Sequence, residues 1–353
     1  MTRAKRYLIT GGAGFVGSHL AEQLLSAGAS VLILDDLSTG RMDNVRHLQS
    51  RPRFHFVHGS AEDAALVGAL ASRCDGIYHL AAALGVKLVI DQPTRVIGTT
   101  IHSTEIVLEA AARFNRPVLV TSSSEVYGKS ARVPFREDDD VVMGPTRVSR
   151  WCYAYSKAVG EFLALAYHRE RGLPVRVVRL FNTVGPRQIG NHGMVLPRFV
   201  RAALCGEPLQ VYGDGQQTRC FCHVRDVAGA LMRLLDAPST VGQVYNVGSD
   251  EEISIEALAR RVIGVTGSAS KVEHVPYRAA YGCDFDDPPR RLPCLEKLRA
   301  AISFRPTYSI DDIIRAVADY ERQIPAPIVT PVVTVEPAAR GHQSDENHRL
   351  AAL

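Results

Sequence analysis

The sequence predicts an α/β fold in which a doubly wound parallel sheet carries a smaller, discontinuous α/β lobe. Three observations predict it. Short apolar runs at 6–10, 30–35, 53–57, 76–80, 117–122 and 174–180 alternate with helix-patterned segments, an order that places helices on both faces of a parallel sheet. A glycine-rich turn, Thr10-Gly-Gly-Ala-Gly-Phe-Val-Gly17, joins the first run to an amphipathic segment from Ser18 to Ser26. The second run, Ser30-Val-Leu-Ile-Leu, ends at the acids Asp35-Asp36.

Strand, glycine turn and helix in that order make a dinucleotide loop. Gly11 permits the tight turn, Gly14 lets the backbone approach a pyrophosphate, and Gly17 packs the helix on the strand. Phe15 and Val16 open the helix, whose exposed N–H groups and dipole favour phosphate. Asp35 and Asp36 stand where an acid hydrogen-bonds the adenosine ribose. Two carboxylates there repel a 2′-phosphate, so NAD is expected rather than NADP. Ser38, Thr39 and Gly40, which follow the acids, are assigned to the same cofactor. Residues 1–180 are thus expected to form a Rossmann-type NAD-binding domain.

The fifth run leads into Thr121-Ser-Ser-Ser-Glu-Val-Tyr-Gly128, and Tyr153-Ala-Tyr-Ser-Lys157 follows. Tyr153 and Lys157 are spaced i, i+4 in a segment, 154–170, that predicts a helix, so their side chains share a face. A free tyrosine, with a pKa of about 10, is a poor base at neutral pH. A neighbouring ammonium and a cationic nicotinamide are expected to lower it. Tyr153 then takes the proton of a sugar hydroxyl while hydride leaves the same carbon.

Beyond Gly185 the pattern becomes irregular, returning near 244–247 before helices around 254–265. The chain is therefore expected to rejoin the sheet at about 222–248, with 181–322 mainly a substrate lobe. No internal repeat is visible. From Pro325 a Pro-rich apolar stretch gives way to Arg340-Gly-His-Gln-Ser-Asp-Glu-Asn-His348, and 325–353 is read as a flexible tail.

With 353 residues, 22% charged and 46% hydrophobic, the composition is globular. A net charge of +4 without a basic run argues against nucleic acid. The apolar stretch at the start is too short for a signal peptide, and no run is long enough to span a bilayer, so the expected address is the cytoplasm. Seven cysteines without a CxxC point to reduced thiols. Cys220-Phe-Cys222, beside His223, is read as packed thiols rather than a metal site, and no metal is expected.

Gly11-x-x-Gly14-x-x-Gly17, His79-Leu-Ala-Ala82, Ser122-Ser-Ser-Glu-Val-Tyr-Gly128, Tyr153-x-x-x-Lys157, Arg179-Leu-Phe-Asn-Thr-Val-Gly-Pro186 and Arg219-Cys-Phe-Cys-His-Val-Arg-Asp226 together resemble the extended short-chain dehydrogenase/reductase family. These are NAD-dependent nucleotide-sugar epimerases, dehydratases and decarboxylases, and the resemblance spans 5–322. It implies that NAD stays bound, oxidises C4 of a nucleotide-linked sugar and recovers its hydride after the intermediate rearranges. By the family pattern Ser123 bridges the C4 oxygen and Tyr153, Lys157 holds the nicotinamide ribose, and Glu125 acts beside them. Ser60, Ala61, Leu80, Ala81, Ala82, Thr100 and Ser122 fall at cofactor positions. Ser60 replaces a frequent Asp, and Thr100 a frequent Asn. Arg219 resembles the diphosphate-binding arginine, Asn182 supports the substrate phosphate, and Val195, Pro197 and Phe199 lie where the nucleotide base packs.

The 4,6-dehydratases carry Thr-Asp-Glu where this chain has Ser123-Ser124-Glu125, and an alcohol is too weak an acid to replace that Asp. Simple 4-epimerases often lack the Glu. The UDP-glucuronate decarboxylases share the Ser-Glu-Val-Tyr-Gly segment, Gly144-Pro145 with Arg150-Trp151-Cys152-Tyr153, and Tyr281-Gly-Cys-Asp-Phe-Asp-Asp-Pro-Pro-Arg-Arg-Leu-Pro293. That last segment implies that Arg291 faces the site, meeting either the sugar carboxylate or the phosphates. Segment 83–90 lacks the polar residues that many epimerases present to the sugar, and its Lys87 either helps hold an acidic sugar or is simply solvated. The expectation is a UDP-glucuronate decarboxylase giving a UDP-xylose-type product. A UDP-hexose or UDP-uronate 4-epimerase is the alternative, ahead of a dehydratase or a non-catalytic NAD sensor. Helices near 101–114 and 154–170 match those that pair in the family's homodimers.

Overall fold

Runs of about five residues rich in β-branched, leucine and aromatic side chains are too short for stable helices and pack well on a pleated surface. They form β1 (Arg6–Thr10), β2 (Ser30–Asp35), β3 (Phe54–His58), β4 (Gly76–His79), β5 (Val118–Ser123) and β6 (Val175–Leu180) in the computed structural model, which describes residues 3–82, 86–188, 194–281 and 288–323. Later come β7 (Thr183–Val184), β8 (Leu209–Tyr212), β9 (Thr218–Cys220), β10 (Cys222–His223), β11 (Gln243–Val247), β12 (Glu252–Ser254), β13 (Val272–Val275) and β14 (Arg290–Arg291).

Among the described residues, seven strands make one sheet in the order β11-β6-β5-β4-β1-β2-β3. Every neighbouring pair in it is parallel. The expected doubly wound sheet is therefore present. All six residues of β2 are buried, as a strand covered on both faces requires. The strand order reverses between β1 and β4, and it is outside the carboxyl ends of such strands that an open α/β sheet binds its ligand.

The helices are α1 (Phe15–Ser26), α2 (Ala64–Ala71), α3 (Val86–Asp91), α4 (Pro93–Arg113), α5 (Trp151–Arg171), α6 (Val195–Cys205), α7 (Val224–Asp236), α8 (Ile255–Thr266), α9 (Tyr277–Tyr281), α10 (Glu296–Ile302) and α11 (Ile310–Gln323). α4 begins well before 101 because Pro93 occupies its first turn, where a missing N–H is no loss. α5 ends at Gly172, whose φ of 66° is the left-handed closure that glycine adopts without strain. Ser254 caps α8 by accepting the Ala257 N–H at 3.1 Å.

Two apolar clusters flank the sheet. One joins α1 and α7 to it through Leu20, Leu24, Val227 and Leu231, and the other joins α2, α4 and α5 through Val67, Val107, Leu108 and Ala164. A third cluster gathers α6, α8, α11 and β8 around Phe199, Val200, Leu258 and Ile314. Each of these buried valine, leucine, isoleucine and phenylalanine side chains contributes about 1.5–3 kcal/mol. After β10 the chain returns to the sheet, laying α7 on α1 and adding β11 beside β6.

Cys220 and Cys222 are buried, and burial pushes the Cys220 thiol up to about 12. No helix among the described residues is long and apolar enough to cross a membrane. The tail at 325–353, residues 282–287 of the late arginine segment and the Lys87 side chain lie outside the described residues.

Candidate active site

A cavity of about 580 Å³ runs along the carboxyl ends of the central strands, from the glycine loop to Arg219 and Arg291. At the loop, Gly11 has a φ of 72°, and a Cβ on it would lie 2.7 Å from the Ala81 backbone nitrogen. A Cβ on Gly17 would overlap the Gly11 carbonyl oxygen, so the helix can approach the strand only without a side chain. Gly14 caps α1 with no side-chain hydrogen bond, which leaves the first-turn N–H groups for an anion.

Both Asp35 oxygens already accept backbone N–H groups, Oδ2 from Ala13 and Oδ1 from Leu37, each at 2.9 Å. Burial pushes the Asp35 carboxyl up, and those two N–H groups oppose it. Asp36 is exposed and accepts the Ser38 N–H at 2.9 Å. Both acids line the cavity, and each carboxylate oxygen can take a second donor from a ribose. The Ser122 Oγ is buried with no hydrogen-bond partner in the chain, and Ser122 lines the cavity too. Bare helix N–H groups, paired acids and this orphaned hydroxyl fit NAD.

Phe15, Val16, Ser38, Thr39, Ser60, Ala61, Leu80, Ala81 and Ala82 line the same cavity. Gly40 and Thr100 do not. Gly40 lies behind Asp35, where a Cβ would sit 2.6 Å from Oδ1, so it makes room for the acid rather than for a ligand. Thr100 belongs to the buried stripe of α4 with Val96, Thr104 and Val107, while its neighbour Thr99 faces the cavity.

Ser123 ends β5 and accepts the Glu125 N–H at 3.2 Å, turning the chain so that both side chains reach the cavity. From α5 come Tyr153 and Lys157. The Lys157 Nζ donates to the Thr121 carbonyl at 2.8 Å and lies 5.9 Å from the Tyr153 ring centre. Burial lowers the Lys157 pKa to about 8, against the charge of Glu161. The Tyr153 pKa is raised, contrary to expectation. Burial is the larger cause and the Glu125 charge the second, with a hydrogen bond to Ser123 opposing both. A cationic nicotinamide remains the expected influence that would favour phenolate.

Glu125 is the electrostatic centre of the sugar end. Burial disfavours its charge, yet Arg291 and Arg150 outweigh burial and hold the carboxyl at about 2. Arg291 lies against Oε1, and Arg150 donates to Oε2 at 3.2 Å. β14 pairs in parallel with β9, setting Arg291 opposite Arg219, and both side chains line the cavity. Asn182 donates to the Cys220 carbonyl at 3.0 Å, and Val195 opens α6 at the same end. Pro197 also faces the cavity, whereas Phe199 is core.

Arg150 lies within a segment shared with the decarboxylases but is not among the expected site residues. Its signal is the i, i+3 spacing to Tyr153 at the start of α5, which points both at one site. Arg198, whose guanidinium lies 3.9 Å from the Tyr212 ring centre, was missed as well, as was Gln217, which donates to the Tyr277 hydroxyl at 2.9 Å. No periodicity marks these scattered positions.

The chain is 40% identical to the UDP-N-acetyl-alpha-D-glucosaminuronate decarboxylase of Bacillus cytotoxicus, over 91% of this chain and 98% of that protein. It is 35% identical to UDP-glucuronic acid decarboxylase 1 of Arabidopsis thaliana, over 90% of this chain and 70% of that protein. Among solved structures, the UDP-glucuronic acid 4-epimerase of Bacillus cereus in complex with UDP-glucuronic acid and NAD is similar, with a TM-score of 0.80 and 27% identity, over 90% of this chain and 99% of that one. A family profile matches residues 7–248, from the first strand through the last strand added to the sheet. With the glycine loop, the paired acids and the Tyr153–Lys157 helix all opening on one cavity, this match makes the chain a member of the NAD dependent epimerase/dehydratase family, with NAD as its cofactor.

Proposed function

We propose that the protein decarboxylates a UDP-linked uronate, converting UDP-glucuronate to a UDP-xylose-type product. The observation that carries this is Glu125, held ionised between two arginines beside Ser123 and Tyr153. A carboxyl with a pKa of about 2 is no proton donor for dehydration at neutral pH. The surrounding guanidiniums suit a substrate that carries a carboxylate. The named decarboxylase relatives support the same reading.

NAD, held by the glycine loop at Gly11 and Gly14 and by Asp35 and Asp36, would supply the acceptor, and later the donor, of the C4 hydride. Tyr153, as phenolate, takes the C4 hydroxyl proton while Ser123 holds the same oxygen. The C4 ketone then lies β to the sugar carboxylate. The C5–C6 bond breaks, carbon dioxide leaves, and the bonding pair enters C4–C5 as an enolate. Cations beside the site stabilise this developing negative charge. A solvent proton adds at C5, and Tyr153 returns its proton to O4 when the C4 ketone is reduced again.

A second reading replaces UDP-glucuronate with its 2-acetamido relative, favoured by the 40% identity to a UDP-N-acetylglucosaminuronate decarboxylase. A uronate 4-epimerase, with which the fold is also shared, would leave the carboxylate in place. Both uronates, labelled in the carboxyl carbon, are offered to the NAD-loaded enzyme and labelled carbon dioxide is collected. Release from UDP-glucuronate supports the proposal, release only from the acetamido sugar selects the second reading, and release from neither contradicts both.

The proposal includes a homodimer. On α5, Phe162 is 69% exposed and Val159 39%, and on α4 Ile97 is 40% exposed, an apolar face suited to a second copy. It also includes a cytoplasmic address, which the unpaired thiols of Cys74, Cys152 and Cys220 support.

A further inference from the structure

Arg95 stands in the first turn of α4, lines the cavity and is exposed, which puts it at the rim. Its neighbours fix its place along the cavity. Val96, the next residue, packs with Val89 and Tyr153 at the reaction end. Thr99, one turn on along the same helix face, donates to Glu62 at 3.4 Å. Glu62 lines the cavity with Ser60 and Ala61, just after β3, the partner of the strand that ends in Asp35. Arg95 thus falls between the reaction end and the adenosine end, the level at which a dinucleotide carries its diphosphate. α4 packs on the face of the sheet opposite α1, so this cation approaches from the side away from the glycine loop.

We infer that Arg95 is a cofactor-binding residue: its guanidinium takes the diphosphate of NAD from the side opposite α1, and the anion is held between a full positive charge and a helix terminus. Among the described residues Arg95 donates to the neutral Gln92 Oε1, at 3.3 Å. A bond to a neutral amide is weaker than one to a phosphate and is readily exchanged for it. Elsewhere along the cavity Arg187 is already paired with Glu22 at 2.6 Å, and Lys157 donates to the Thr121 carbonyl at 2.8 Å. A helix end, worth about half a charge, does not balance a doubly charged diphosphate. The planar fork of an arginine matches phosphate oxygens in pairs. The nicotinamide ring loses its charge on reduction, whereas the diphosphate keeps its own. A grip on the diphosphate therefore holds NAD and NADH alike, as a cofactor that must stay through an oxidation and the reduction after it requires. The inference rests on NAD as the cofactor and not on which sugar is acted on.

The full-length protein, freed of carried-over cofactor, is titrated with NAD, NADH, ADP-ribose and adenosine, as it stands and with Arg95→Gln or Arg95→Lys. Arg95→Gln is expected to weaken NAD, NADH and ADP-ribose by one common factor, about threefold to thirtyfold, between the worth of an exposed ion pair and that of a charge-assisted hydrogen bond. Adenosine, which lacks the diphosphate, should change by less than about twofold. Arg95→Lys should recover part of the loss, and added salt should narrow the gap between the unmodified protein and Arg95→Gln. The melting temperature of the ligand-free protein should stay where it is, because the side chain is exposed. Unchanged affinity for NAD would make Arg95 a solvated side chain and overturn the inference. A loss shared by adenosine would make it a stacking or bracing residue and overturn it too. UDP-glucuronate is titrated into the NAD-loaded protein as well, and a loss seen only there would assign Arg95 to the sugar instead. None of these results depends on whether the sugar is decarboxylated, so the two readings stand or fall separately.

Discussion

At the glycine-loop end the cavity is walled largely by backbone: Gly11, Gly14, Gly17, Ala81 and the first N–H groups of α1. At the sugar end the wall is made of side chains from segments far apart in the chain, with Glu125 after β5, Arg150 and Tyr153 on α5, Arg219 on β9 and Arg291 on β14. The first surface depends on the absence of side chains and tolerates little added volume. The second depends on charge balance and answers to single functional groups. The two ends of the cavity should therefore respond to different kinds of substitution, the first to added volume and the second to lost charge or hydroxyl.

Tyr153→Phe should break the sugar end alone. We expect kcat to fall about 10²–10⁴-fold, the usual worth of a general acid–base group, with NAD still bound. Steady-state rates and the absorbance of released cofactor check both halves. At the other end, Gly17→Val places atoms against the Gly11 carbonyl and 2.7 Å from the Gly12 Cα, neighbours that cannot rotate away. Overpacking of this kind costs about 1–3 kcal/mol, so bound NAD and melting temperature should fall together.

Charge balance predicts a pH effect. The folded pKa of Glu125, about 2, lies below its ordinary 4.5. Its ionised form therefore stabilises the fold above 4.5, and that contribution is lost as pH falls through about 2. Arg291→Met removes one of the two cations that oppose burial, so the carboxyl pKa rises. The acid limb of kcat/KM should move up by about one pH unit, equivalent to about 1.4 kcal/mol. A limb that stays in place would remove Glu125 from the working site. The smallest effect on the chain itself is expected outside the cavity: Phe162→Lys should change its stability by less than about 0.5 kcal/mol while turning a dimer into a monomer by size-exclusion chromatography.

The same contrast governs what the sequence made legible. The loop and its strands are contiguous, and their expected bounds fall within a residue or so, as with 117–122 against Val118–Ser123. The Tyr153–Lys157 pair was legible because i, i+4 spacing converts directly into a shared helix face. Arg291 came only through resemblance, since nothing local reveals that β14 pairs with β9. The part played by Arg150 needed the fold, because Glu125 lies a whole excursion of chain away from it. The direction of the Tyr153 shift needed burial and the Glu125 charge, neither of which spacing reports. Thr100 shows the limit of carrying a position over by motif: one residue of helix rotation puts it in the core and Thr99 on the cavity.

The sugar end, as proposed, handles a carboxylate in order to release it. Mass spectrometry of UDP-glucuronate incubated with the purified, NAD-loaded enzyme tests this most directly. The expected product is lighter by one carbon dioxide; a product of unchanged mass with altered chromatographic mobility would show epimerisation instead and overturn the decarboxylase proposal.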